Sequence, residues 1–296
     1  MQKRIGIITD SNSGLTEEEG KKFGITVVPM PFMIDGVEYY EGKELSRELF
    51  FTKLKEGSDV KTSQPSPGEL ILIWEKMLTE CDELVYIPMS SGLSSSVMTA
   101  KMLAEEYAGQ VFVVDNHRIA CAQKISVLEA VALREQGYGG QEIRERLEEH
   151  SLHTSTYIAV DTLEYLKKGG RVTPAGAAAA SIMQIKPILQ IQGDKLDAYG
   201  KARGKKAVHE KLLQAVEHDI QERFYGKEIW IHGAFSSGEK EAILGKQEIE
   251  TRFPKHKICM EPLALSISCH IGEGAIAIVC TEALPGAESM RKLYIK

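Results

Sequence analysis

Between residues 4 and 136 the chain alternates short apolar runs with stretches of helical period, and this alternation limits the fold more than any single residue does. "RIGIIT" (4–9), "ELVYIPM" (83–89) and "QVFVVD" (110–115) are apolar on consecutive positions, the pattern of strands covered on both faces. The intervening segments have helical signals. "TEEEGKKFG" starts acidic and stops at Gly24, "SRELFFTKLKEG" (46–57) offers Ser46 as a cap, and further helices begin at Pro67, near Ser94 and over 121–136. Strands separated by helices imply a largely parallel sheet with helices on its faces. "ITVVPMPFMID" (25–35) and "VEYYEG" read as extended, and Pro29 and Pro31 assign them to an edge or irregular strand.

The second half has a different rhythm. A strand and short helix over 156–172 precede the alanine-rich helix "PAGAAAASIMQI", a hairpin-like pair around Gly193-Asp194 and a long helix over 204–224. "EIWIHGAF", "KICMEPLAL" and "GAIAIVCT" complete a mixed sheet backed by helices. The 296 residues suit about two domains, and the acidic helix "QEIRERLEEH" with the turn after it marks the boundary. The expected organisation is an N-terminal α/β domain over 1–153 and a C-terminal α/β domain over 154–296.

Charge and cysteine content exclude some classes of function. A formal net charge of −6 disfavours nucleic acid as a general partner. The five cysteines are scattered without a C-x-x-C pair and read as reduced thiols. The opening "MQKRIGIITD" is a first strand rather than a signal peptide, and no apolar run approaches the roughly 18 residues of a membrane span. The expectation is a soluble, cytoplasmic protein.

The stretch "YIPMSSGLSSSVMTAKML" (86–103) sets five serines and a threonine behind a buried strand. Ligands of open parallel sheets sit beyond the carboxyl ends of the strands, where helix N-termini present free N–H groups to anions. Ser94, Ser95 and Ser96 fall at such a place, as an anion site or as an N-cap with spare hydroxyls. "KTSQPSP" (61–67) repeats the pattern as a polar loop before a helix with Pro67 at its first position. "DSNSGLT" (10–16) follows the first strand, so three polar loops converge on one sheet edge. The second half adds Arg171 in "KKGGR" and His270 in the glycine-flanked loop "SCHIGEG"; either residue can be structural, but glycines let backbone approach a ligand.

These motifs together resemble the DegV family of bacterial fatty-acid-binding proteins. "ITDSNSGL", "YYEGKEL", "KTSQPSPGEL", "SSGLSSS", "DTLEYLKKGGRV", "KPILQI", "KARGKKA" and "SCHIGEGAIAI" run in family order from residue 7 to residue 278. The resemblance implies a two-domain α/β fold with one long-chain fatty acid held between the domains and no further cofactor. It implies that Thr62, Ser94 and the backbone of Ser95 hold the carboxylate, with Ser63, Gln64, Arg171 and His270 beside it. It also implies that a separate ATP-dependent fatty acid kinase converts the bound acid to an acyl phosphate for phospholipid synthesis, docking on the face that carries Arg203. The protein itself would then be a carrier without catalytic residues. The chain departs from the family pattern at Ser95 and Ser96, at Gly272-Glu273-Gly274, and in "NHRIACAQK" after Asp115.

Two other classes find less support in the residues. Gly92-Leu93-Ser94 suggests the nucleophile elbow of a serine hydrolase with His270 and Asp115, but Ser96 stands where its second glycine belongs. A sugar-binding kinase subunit lacks support, since "GKARGKK" has the wrong spacing for a phosphate loop. His150 and His153 share a helix face without further ligands, so no metal site is expected. Candidates for an acyl sheath are Phe32, Met33, Ile34, Ile71, Met98, Ala175–Ala180, Ile182 and Met183.

Overall fold

The structure is a computed structural model that describes residues 3–107, 109–178, 185–193, 195–287 and 290. Its first half contains β1 (Ile5–Asp10), α1 (Glu17–Phe23), β2 (Ile25–Val28), β3 (Pro31–Ile34), β4 (Val37–Tyr40), α2 (Arg47–Lys55), β5 (Val60–Thr62) and α3 (Pro67–Leu78). It continues through β6 (Glu83–Ile87), α4 (Ser96–Ala104), β7 (Val111–Val113), α5 (Ala120–Glu135) and α6 (Gly140–Glu149). The consecutive apolar runs form a four-stranded, wholly parallel sheet in the order β2-β1-β6-β7. Every residue of β1 and β6 is buried, as a strand with both faces covered requires.

Helix boundaries follow local chemistry. Thr16 and Glu19 form a reciprocal capping box on α1, and Gly24 ends it in the left-handed region at φ 63°. Ser46 caps α2, and Ser66 caps α3 with Pro67 in its first turn. The proline-bearing segments form a separate antiparallel sheet, β4-β3-β5, in which Phe32 lies opposite Thr62. The "KTS" segment, read as loop from the sequence, is therefore strand up to Thr62. Three residues between polar neighbours carry too little periodicity to identify a strand.

The second half contains β8 (Thr154–Ala159), α7 (Glu164–Gly169), α8 (Pro174–Ala178), β9 (Ile185–Ile191), β10 (Asp197–Arg203) and α9 (Lys205–Glu222). It ends with β11 (Ile229–Phe235), α10 (Glu239–Arg252), β12 (Cys259–Pro262), α11 (Leu265–Ile271) and β13 (Ile276–Glu282). Its sheet has the order β10-β9-β8-β13-β11-β12 and is antiparallel except for the β11–β12 pair. The fold is thus α/β, with a parallel sheet and a mixed sheet. Asp194, Ala179, Ala180, Ile182 and Met183, which entered the hairpin and acyl-sheath readings, lie outside the described residues.

Helix α5 joins the two sheets. It packs on β1 and β6 on one side and on β11 and β13 on the other. Such a helix has no solvent face, and "ACAQKISVLEAVALRE" is buried from Cys121 through Leu133. Beside it lies an apolar cluster in which Met30, Met89 and Leu93 meet Ile158, Val160, Ala277 and Val279. Among the described residues no helix is long and apolar enough to cross a membrane.

Candidate functional site

A cavity of about 200 Å³ opens within that mixed cluster. Strand alternation builds one wall. On β8, Thr156 and Ile158 face the cavity, while Tyr157 points the other way and donates its hydroxyl to Asp219 of α9 at 2.7 Å. Ile158 pairs across the ladder with Leu189 and Ala277, and Thr156 with Ile191 and Val279. The first half supplies Met30, Met89, Leu93, Ile119 and Ala120, and α11 supplies Ile267 and Ile271. Ala120, at the start of α5, adopts a positive φ of 52°, a conformation that alanine rarely takes.

Hydroxyls and two basic side chains gather at one end. The Thr62 hydroxyl, at the end of β5, lies 2.8 Å from Nε2 of His270 on α11. The His270 ring rests against Gly169, the last residue of α7: a Cβ there would stand 2.3 Å from Nδ1. Gly170 ends α7 in the left-handed region at φ 69°. Each glycine of "KKGGR" thus has its own job, one making room for the ring and one turning the chain. Burial, with Arg171 adding to it, pushes the His270 pKa down to about 4, so the ring is neutral at pH 7.

Arg171 lines the cavity and spends donors on main-chain carbonyls, Nε on Leu93 at 3.1 Å and Nη1 on Gly169. The Ser94 hydroxyl accepts the Ser96 N–H at 3.2 Å and lies 2.8 Å from the Ser96 hydroxyl, in the turn that opens α4. Ser95 stands exposed at the N-cap without a side-chain cap bond. Ser63 and Gln64 also line this end; Gln64 accepts from the Thr99 hydroxyl at 3.1 Å. The result is an apolar chamber with neutral donors and one partly committed guanidinium at its polar end. Such an arrangement suits an amphiphile with a long apolar part and a small anionic head.

A family model described as an uncharacterised protein of the DegV family matches residues 4–283. The chain belongs to the DegV family. A DegV domain-containing protein of Listeria innocua is 30% identical over 94% of this chain and 98% of its own length. The solved structure of a fatty-acid-binding DegV family protein from Thermus thermophilus matches with a TM-score of 0.86 at 29% identity, over 94% of this chain and 99% of that one. DegV from Bacillus subtilis, described as a fatty acid binding protein, matches with a TM-score of 0.83 at 25% identity, over 95% and 99% of the two chains.

Within this DegV fold the residues predicted at the site separate clearly. Thr62, Ser63, Gln64, Ser94, Ser95, Arg171 and His270 all line one cavity. Arg203 does not; it is the exposed last residue of β10, opposite Ile185. The basic run around "LKKGGR" is partly neutralised within the chain, since the exposed Lys168 pairs with Asp59 at 2.7 Å. The "SCHIGEG" segment is not a loop. Helix α11 runs through His270 to Ile271 and ends at Gly272, φ 74°. Its serine, cysteine and histidine obscured a single helical turn pair in the sequence.

The described acyl-sheath candidates, Ala175–Ala178 included, do not line the cavity. Phe32 and Ile34 are buried in a separate small core with Phe50, Leu54 and Leu265, and Met98 is 65% exposed on α4. Neither Met33 nor Ile71 lines the cavity. The hydrolase alternative also disperses: His270 bonds Thr62, Ser94 bonds Ser96, and Asp115 accepts the Ser91 N–H at 3.3 Å. His150 and His153 stack at 4.4 Å and both bond Glu282, fastening the end of β13. No metal-holding cluster occurs among the described residues.

Sequence reasoning missed Asn12, Ser266 and Thr156 as cavity residues. Asn12 sits in the quoted "DSNSGLT" loop, and its side-chain oxygen accepts from the Ser266 hydroxyl at 2.6 Å, joining β1's loop to α11. Asp10, the first residue of that quoted segment, does not line the cavity. It is fully buried, accepting the N–H groups of Asn12 and Met89 and the Gln123 amide, and burial raises its pKa to about 6. Its role is to tie the segment after β1 to the segment after β6.

Proposed function

We propose that this protein binds one long-chain fatty acid non-covalently, between an N-terminal part (1–153) and a C-terminal part (154–296). The carboxylate rests on the hydroxyls of Thr62 and Ser94 and the backbone N–H of Ser95. Ser63, Gln64, Arg171 and His270 complete its surroundings. The observation that carries this reading is the joining of Thr62 to His270 at the polar end of a chamber walled mainly by aliphatic side chains. Fatty acid binding by DegV proteins of Thermus thermophilus and Bacillus subtilis supports it.

The energetics agree. Burying a sixteen-carbon chain is worth on the order of 12 kcal/mol gross at ~0.8 kcal/mol per methylene, from which the cost of association is subtracted. Tail burial can therefore supply most of the affinity, and the head group has only to avoid an unpaired buried charge. Two of the five Arg171 N–H donors are already held by carbonyls, Nε among them, so a side-on grip of both carboxylate oxygens through Nε is lost and the neutral donors carry the head group on this reading. One oxygen stays available for transfer chemistry.

The further part of the proposal is that a separate ATP-dependent kinase phosphorylates that oxygen, yielding an acyl phosphate for phospholipid synthesis. The exposed Arg203 lies on the docking face. On this reading the protein is a carrier, needing no cofactor and no catalytic residue of its own, and it works in the cytoplasm. Mass spectrometry of organic extracts from the purified protein tests the binding step. One equivalent of long-chain acid is expected; a lipid-free protein that also refuses added oleate refutes it.

A further inference from the structure

The sheet wall of the cavity has one polar side chain where a hydrocarbon tail asks for none. Thr156 lies on β8, near the middle of the six-stranded sheet, flanked by Ile191 on β9 and Val279 on β13. The adjoining row along the same face is Leu189, Ile158 and Ala277. Thr156 is only half-buried although its neighbours Ser155 and Tyr157 are buried, because its exposure is to the cavity. Among the described residues its hydroxyl has no hydrogen-bond partner. Asn12 and Thr62, which also line the chamber, are engaged, Asn12 with Ser266 and Thr62 with His270.

A strand position there calls for a β-branched side chain, and valine has the same shape without the hydroxyl. A hydroxyl facing hydrocarbon forfeits its hydrogen bonds, whereas a hydroxyl on the ligand restores them, since each can donate and accept. Sites that hydrogen-bond a substrate hydroxyl discriminate strongly against the analogue lacking it. We propose that Thr156 is a specificity-determining residue that selects long-chain acids carrying a hydroxyl group along the acyl chain. This rests on the fatty-acid reading of the cavity and names the class of acid within it.

The test is a binding panel of stearic acid and its mono-hydroxylated derivatives, with the hydroxyl moved carbon by carbon, on the wild type and on Thr156→Val. The wild type should bind one position, or two adjacent ones, about tenfold more tightly than stearate. Thr156→Val should lose that peak while binding stearate at least as tightly as the wild type, and an unchanged far-ultraviolet circular dichroism spectrum shows separately that the variant is folded. A flat wild-type panel overturns the inference while leaving fatty acid binding intact, and so does a peak that survives in Thr156→Val. Equal tightening of every acid in Thr156→Val overturns it as well, since the hydroxyl is then only a desolvation cost. Refusal of every acid by the wild type overturns the fatty-acid reading itself, and this inference with it.

Discussion

The Thr62 hydroxyl meets Nε2 of His270 at 2.8 Å across 208 residues of sequence. That bond connects the small β4-β3-β5 sheet to helix α11, and it sets the polar end of the cavity from both halves of the chain. Replacing Thr62 and Ser94 together by alanine removes both proposed hydroxyl donors to a buried carboxylate. Hydrogen bonds to a charged group are worth about 1.5–3 kcal/mol each, so the double variant should lose fatty acid affinity by two orders of magnitude or more. Lipid content after purification measures this. Wild-type occupancy in Thr62→Ala/Ser94→Ala would remove the carboxylate from this place.

His270 gives the site a pH dependence. Its pKa is pushed down to about 4 by burial and by Arg171, against an ordinary value near 6.5 in the unfolded chain. A base depressed on folding contributes stability that is complete above about pH 6.5 and is lost as pH falls towards 4. His270→Gln should therefore flatten the fall in urea-unfolding free energy between pH 7 and 5, by on the order of 1–2 kcal/mol. An arriving carboxylate favours the protonated ring, so binding should take up protons near pH 5.5, visible as buffer-dependent heats in calorimetry. Heats that do not depend on the buffer would place the acid away from His270.

Arg203 separates carrying from delivery. It is exposed at the end of β10 and lies outside the cavity, so Arg203→Glu should leave lipid affinity within twofold of the wild type. In a reaction with a cognate kinase and ATP, acyl phosphate formation should fall at least tenfold, and more salt should narrow the difference if attraction across the interface is electrostatic. Equal rates with both proteins would move the docking face elsewhere.

The sequence made some of this architecture plain and concealed the rest for identifiable reasons. Helix α1 was legible because "TEEEGKKFG" starts acidic and stops at Gly24, which ends it in the left-handed region. The seven polar-end residues were legible because each belongs to a motif of hydroxyls or glycines beside a predicted element. The tail wall was not legible. Ile158, Ile191 and Val279 are ordinary strand aliphatics, and only the pairing of β8 with β9 and β13 turns their shared face towards a cavity. Thr156 was hidden in the same way, since threonine in a strand is unremarkable until its neighbours across the ladder are known. Helix α11 was masked by polar residues that face partners in the other half of the chain, such as Ser266 on Asn12.

Glu41 shows how far the placement of that helix depends on a distant residue. Ala264 at the N-cap of α11 offers no side-chain acceptor. Glu41, in the turn after β4, fills the role from 224 residues away, its Oε2 accepting the Leu265 N–H at 2.6 Å and the carboxylate also meeting the Ser266 backbone. Burial raises the Glu41 pKa, with these N–H groups and Arg47 opposing the shift. Glu41→Ala leaves the first N–H groups of α11 without their acceptor, a loss of about 1–3 kcal/mol. Because α11 carries Ser266 and His270, the damage should centre on the site. Hydrogen exchange of the α11 amides should accelerate well beyond that of β1 and β6, and fatty acid affinity should fall with it, while Glu41→Gln, which keeps one acceptor oxygen, should recover part of both. Uniform acceleration across the parallel sheet and α11 alike would mean that Glu41 supports the whole fold rather than the helix that presents His270 to Thr62.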